Sequence, residues 1–148
     1  MSNADALVRR WTDIFNERDL DACTAITTDV CIEHAVAPFE HVAPGSVDGP
    51  GHLRRAAEWL LAQFPDLRMT VVGLVCEGDM VAVRVRSEGT NLGPINGIVP
   101  PTGKRFSAEQ SHWFRIRDGR FAEHWATRDD LTAMLQLGVL QPPGPPHG

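Results

Sequence analysis

The chain lacks a basic run, a long apolar run, paired cysteines and any internal repeat. Its 14 Lys and Arg stand against 19 Asp and Glu, a net charge of -5, with the cations scattered. Recognition of nucleic acid or of an anionic membrane surface needs clustered positive charge, so neither partner is expected. No apolar stretch approaches the ~20 residues that span a bilayer, and the first residues, MSNADALVRRW, lack the apolar segment of a secretory signal. Cys23, Cys31 and Cys76 are odd in number and show no paired spacing, which fits free thiols in a reducing cytoplasm. His34 and His41 flank one irregular stretch, yet no histidines have His-x-x-x-His spacing, so no metal site is expected. The segment from Gly97 to Lys104 fails as a phosphate loop. Five residues rather than four separate Gly97 from Gly103, and Arg105 stands where a hydroxyl is required. Ser107 and Ser111 lack the strand–turn–helix glycine setting of a hydrolase nucleophile.

What is present describes one globular domain. With 148 residues, 43% hydrophobic and 22% charged, the chain is long enough to bury a core without staples. The domain is expected over 1–140, followed by a mobile Pro/Gly tail over 141–148. Leu7, Val8, Trp11, Ile14 and Phe15 recur at helical spacing, so a first helix is predicted from Ser2 or Asn3 to about Glu17. A short helix over Leu20–Ile26 and a short strand over Asp29–His34 follow. The stretch AVAPFEHVAPGSVDGPG is too rich in breakers to be regular. Asp48 or Gly49 then starts a third helix, with Pro50 in its first turn, where the missing N–H costs nothing. Strands are predicted over Leu67–Cys76 and Asp79–Gly89, the second with Val81, Val83 and Val85 on one face. Asn91–Lys104 is a long loop of the kind that forms rims or lids.

The most informative stretch is Ser107–Asp130, two β-compatible runs around Asp118-Gly119, a strong tight-turn signal. Counting outward from that turn pairs Phe114 with Glu123, His112 with Trp125, Gln110 with Thr127 and Ala108 with Asp129. These residues then share one face, apolar near the turn and polar away from it, like the inner wall of a cup. His124 falls on the other face. One bulge would flip every residue beyond it. Glu123, opposite Phe114, demands a buried functional acid, an arginine partner such as Arg84, or a shifted register.

Several features together resemble the SnoaL-like polyketide cyclases of the NTF2-like superfamily. They are Phe64-Pro65-Asp66-Leu67, Pro101-Thr102-Gly103, Arg105-Phe106-Ser107, His112 with Phe114-Arg115-Ile116, Asp118-Gly119, Glu123-His124-Trp125, Asp129 and Gln136-Leu137-Gly138. The resemblance implies an α+β conical barrel, with N-terminal helices packed on a curved antiparallel sheet. It implies a deep pocket, a homodimer, and acid/base ring closure with no metal or organic cofactor. The aspartate that serves as acid/base in the anthracycline cyclases falls on Ala126, while the cyclase histidine falls on His112. This departure turns the reading toward the hydroxylation-type branch or another acid/base conversion.

The site expected from these readings has His112 and Asp129 moving protons. Burial beside Trp125 would raise the pKa of Asp129, although one of Asp129 and Asp130 should also cap the last helix. Gln110 would hold a carbonyl or hydroxyl, Trp125 would stack on the substrate ring, and His34 would shape the mouth with the 91–104 loop. Arg84 and Glu123 complete the candidates, with a solvated position weighed for Arg84. The partner is a small, largely apolar molecule with oxygen functions. The alternatives are a non-catalytic binding module on the same fold, or an epoxide hydrolase or isomerase using Glu33, Glu109 or Glu123.

Overall fold

The computed structural model describes residues 3–37, 39, 43–142 and 144, so Ser2, His41 and most of the tail lie outside the described residues. Its elements in chain order are α1 (Asn3–Asn16), α2 (Ala22–Ile26), β1 (Thr27–Glu33), β2 (Gly45–Asp48), α3 (Gly49–Gln63), β3 (Arg68–Glu77), β4 (Met80–Thr90), β5 (Arg105–Arg117), β6 (Arg120–Arg128) and α4 (Asp130–Leu137). The strands form one six-stranded sheet in the order β2-β1-β6-β5-β4-β3, with β2 and β3 as its open edges. Helices pack on its concave side, which is the expected α+β arrangement.

Local chemistry accounts for most element boundaries. The apolar stripe of α1 buries Leu7, Val8, Trp11, Ile14 and Phe15. Asp48 caps α3 by accepting from the Gly51 N–H, with Pro50 in the first turn. A Cβ on Gly49 would collide with the Thr28 carbonyl oxygen, so this glycine lets the start of α3 sit directly on β1. Val81, Val83 and Val85 are almost fully buried, which fixes the register of β4. Gly138 at φ 76° ends α4.

Two features of the sheet depart from expectation. The irregular stretch after His34 includes a real strand, β2, which pairs antiparallel with β1 from Val30–Asp48 to Glu33–Gly45. β1 also runs parallel to β6, so the sheet is not a pure antiparallel meander. Neither pairing has a local signal: β2 is embedded in a stretch of prolines and glycines, and β6 lies far from β1 in sequence.

The β5–β6 hairpin turns at Asp118 and Gly119, both at positive φ (51° and 75°), as the turn chemistry requires. Arg117 pairs with Arg120 and Ile116 with Phe121, as counted from sequence. The register then shifts by one residue, so that Arg115 pairs with Glu123, Phe114 with His124, Trp113 with Trp125 and His112 with Ala126. Ala122 is the extra residue, and both it and Phe121 are buried. A bulge of this kind bends the strand and reverses the facing of everything beyond it. His124 and Ala126 therefore face the cup, while Glu123 and Trp125 face outward.

Candidate active site

Beneath the helices the sheet encloses a cavity of about 290 Å³. Its apolar wall includes Trp11, Phe15, Phe64, Met69, Phe106 and Phe114. Trp11 packs edge-on against both His112 (4.7 Å between ring centroids) and Phe114 (5.4 Å). Over the mouth, Ile95 and Asn96 of the 91–104 loop join the lining, and the Trp59 Nε1–H donates to Asn96 Oδ1 at 2.8 Å. The base of that loop is held by buried Asn91, whose amide donates to the Gly93 carbonyl (2.8 Å) and whose Oδ1 accepts from the Thr102 N–H (2.8 Å).

One polar chain crosses this otherwise greasy space. At its inner end Glu33, buried on the last position of β1, accepts from the His124 Nδ1–H at 2.8 Å and from the Ala35 N–H at 2.9 Å. His52 Nε2, from the first turns of α3, lies 3.3 Å from the same carboxylate. His124 Nε2 is 2.9 Å from His112 Nδ1, and His112 Nε2 is 2.8 Å from Gln110 Oε1. The two imidazole rings lie nearly parallel, at 17°.

The ends of this chain dictate its protons. Burial acts to raise the Glu33 pKa, but hydrogen bonds from His124 and His52, the charge of His124 and the Ala35 N–H outweigh it and bring the carboxyl down to about 2. Glu33 is therefore an acceptor, and the Gln110 carbonyl is an acceptor at the other end. One proton on His124 Nδ1, one shared between the rings and one on His112 Nε2 make three, against two for a pair of neutral rings. The arrangement holds one cationic charge opposite the Glu33 carboxylate. Burial, together with the charges of His124 and Arg128, pushes the His112 pKa well below the usual imidazole value, which disfavours an extra proton on that ring. A half-turn of the Gln110 amide presents its NH₂ to His112 and releases that proton, leaving two neutral rings. The two orientations of the Gln110 amide thus differ by one proton on the ring pair.

The other residues singled out from sequence lie elsewhere. Asp129 borders the mouth, but its carboxylate caps α4, accepting from the Thr132 hydroxyl at 2.6 Å and the Thr132 N–H at 3.1 Å. Those two bonds outweigh desolvation and lower its pKa, the reverse of the expected rise. Trp125 is on the outer face and stacks on His34 rather than on a ligand, with ring centroids 4.4 Å apart. His34 also donates to Glu123 at 2.8 Å, and Glu123 accepts from Arg115 at 2.8 Å. Glu123 thus takes an arginine partner, but that partner is Arg115, and the pair lies outside the cup. Arg84 is exposed on the outer face, 3.6 Å from Glu109, which is the solvated position. His112 and Gln110 are the expected site residues that the fold brings together. From sequence Glu33 stands out only as one spare acid among three. Counting from the turn puts His124 on the outer face, and nothing in the sequence marks His52. A signal was present: the dipeptide Glu-His occurs at Glu33-His34, at Glu40-His41 and at Glu123-His124.

The fold is shared with known proteins. The family model for SnoaL-like polyketide cyclases matches residues 5–137. The chain is 32% identical over 151 residues to the aklanonic acid methyl ester cyclase DauD of Streptomyces sp. (strain C5), covering 96% of this chain and 86% of that one. Among solved structures it is similar to TsrD from Streptomyces laurentii (TM-score 0.79, 31% identity), covering 93% of this chain and 96% of that one. It is also similar to AclR from Streptomyces galilaeus, a candidate hydroxylase (TM-score 0.78, 26% identity), covering 97% and 87%. With the match running from the first turns of α1 to the end of α4, the chain belongs to the SnoaL-like polyketide cyclase family.

Proposed function

We propose that the chain closes a ring in a polyketide-like substrate by moving one proton through His112 and His124, with Glu33 as the fixed counter-charge. The single observation that supports this is the unbroken chain Glu33–His124–His112 beside an aromatic-lined cavity. In an intramolecular aldol closure a base removes a proton from a carbon flanked by carbonyls. The carbanion then bonds to a ketone carbon, and the resulting alkoxide takes a proton back. The net proton change is zero, so a ring pair that stores one proton is sufficient. Neutral His112 accepts the proton, which the hydrogen bond passes toward His124 and Glu33. It returns through the His112 N–H to the alkoxide. Trp11, Phe15 and Phe114 hold the apolar body of the substrate and keep water away from the carbanion.

This reading also accounts for Ala126. In the register found, Ala126 stands directly opposite His112, so a carboxylate at that position would touch the same ring that Glu33 reaches through His124. The test uses aklanonic acid methyl ester, the compound named for the cyclase relative, as probe substrate. Glu33→Gln should lower kcat by ~10²-fold or more with little change in KM. Ala126→Asp in that background should restore part of the loss. Full activity in Glu33→Gln would end the proposal.

We also propose a cytoplasmic homodimer. Cys23, Cys31 and Cys76 are free thiols, in keeping with a reducing compartment. Among the described residues no helix is long and apolar enough to cross a membrane. Trp113, Val75, Ile32 and Val30 are exposed on the convex face of the sheet, a patch suited to a second copy. Trp113→Glu should shift the sedimentation coefficient to that of a monomer; a monomeric parent protein would refute the assembly.

A further inference from the structure

Every nitrogen of the two site histidines is occupied. His124 uses Nδ1 on Glu33 and Nε2 on His112, while His112 uses Nδ1 on His124 and Nε2 on Gln110. A substrate cannot exchange a proton with either ring until one of these contacts opens. Three of the four partners are fixed: Glu33 is also held by the Ala35 N–H and His52, and the rings are wedged among Trp11, Phe114 and each other. Only Gln110 is free to leave. Its side chain is half-buried, and its single side-chain hydrogen bond among the described residues is the one to His112. It also borders two spaces, the cavity and a more open groove lined by Arg84, Glu109, Ser111, Thr127, Arg128 and Asp129.

We infer that the Gln110 side chain is a removable stopper on His112: its amide stands in for an oxygen of the substrate, and productive binding swings it toward the Arg84–Arg128 groove. This inference rests on His112 being the group that meets the substrate. With Gln110 displaced, a substrate oxygen accepts from the His112 N–H at the position its carbonyl held. In the two-proton state the same nitrogen faces the acidic carbon. The Gln110 amide matches both states because it carries an acceptor and a donor. Gln110 thus keeps His112 hydrogen-bonded while the cup is empty and sets a threshold that a ligand without a well-placed oxygen does not pass.

The test measures affinity for 1,8-dihydroxyanthraquinone, an aromatic diketone probe, by quenching of tryptophan fluorescence, and follows the ¹⁵N shift of the His112 ring. Gln110→Met keeps the length of the side chain and removes the hydrogen bond; Gln110→Ala removes both. Each should bind the probe about 5-fold more tightly, the loss of one neutral hydrogen bond that no longer has to be broken. Gln110→Glu, whose carboxylate makes a stronger charge-assisted bond to the ring, should bind it at least ~10-fold more weakly at pH 7. The parent protein and Gln110→Met should show the same His112 ¹⁵N shift once the probe is bound and different shifts before. Unchanged or weaker binding by Gln110→Met would overturn the stopper, showing Gln110 to be an ordinary contact. Failure of the underlying relay is read separately. If Glu33→Gln keeps full turnover of aklanonic acid methyl ester, the relay falls whatever Gln110 does. If Glu33→Gln is inactive and Gln110→Met binds poorly, only the stopper falls.

Discussion

Two Glu-His dipeptides, Glu33-His34 and Glu123-His124, make the same contact on opposite faces of one pair of strands. On the concave side Glu33 accepts from His124 at 2.8 Å; on the convex side Glu123 accepts from His34 at 2.8 Å. The residues of each dipeptide alternate faces, so parallel β1 and β6 exchange one pair on each side. The distances are alike and the surroundings are not. The inner pair is buried, with side-chain exposures of 9% for Glu33 and 20% for His124, and it continues through a second ring to the cavity. In the outer pair His34 is 37% exposed and Glu123 also holds Arg115, which in turn holds Asp79. The Glu123 pKa is lowered too, by the His34 hydrogen bond above all, against desolvation and with help from Arg115. Water and a second cation share the load outside. Inside, among the described residues, Glu33 contacts the imidazoles of His124 and His52 and no arginine or lysine.

The comparison is broken most severely on the inner side. Glu33→Ala leaves His124, His52 and the Ala35 N–H without their acceptor in a buried setting. It should cost ~2–4 kcal/mol in urea unfolding and abolish turnover. His124→Phe keeps an aromatic ring and cuts the relay, so kcat for the probe substrate should fall by ~10²-fold while the fold survives.

Acid should then separate the two sides by the order of their titrations. His112 is held below its ordinary value of 6.5. The unfolded chain therefore takes up a proton that the folded ring refuses, and stability present above pH 6.5 declines as the pH falls through it. Glu33 follows the same sign. Its carboxyl is lowered from 4.5 to about 2, so the stability it contributes is complete above pH 4.5 and is lost between 4.5 and 2. Thermal melts across pH 7 to 2 should fall in these two windows. Glu33→Gln should remove the lower one and Glu123→Gln should leave it in place.

The smallest effects belong outside. His34→Ala and Glu123→Gln break a contact that is open to water, and each should change unfolding free energy by less than ~1 kcal/mol. Turnover should stay within about 2-fold of the parent. A loss as large as that of Glu33→Gln would show that the outer pair sets the aim of the inner one.

Much of the fold was legible because its signals are local. The stripe of α1, the Asp48–Pro50 start of α3, the alternating valines of β4 and the Asp118-Gly119 turn all lie within a few residues of their effect. The cup and the inward facing of His112 and Gln110 followed from these alone. β2 and the parallel β1–β6 pairing did not: β2 lies in a stretch of prolines and glycines, and nothing near Glu33 names His124, 91 residues away. The bulge at Ala122 decided the rest. A better clue than alternation was charge: placing Glu123 opposite Arg115 satisfies both, whereas placing it opposite Phe114 strands a carboxylate among rings.

The sequence by itself determined the α+β class, the hairpin, the family and one half of the hydrogen-bonded chain, because periodicity, turn chemistry and motif order are properties of neighbours. The tertiary structure alone decided that Glu33 and His124 complete that chain and that Asp129 and Trp125 stand apart from it. The physical reason is that a strand presents alternate residues to opposite faces. One inserted residue at a bend of the sheet exchanges the β6 residues that face the cup for those that face the solvent.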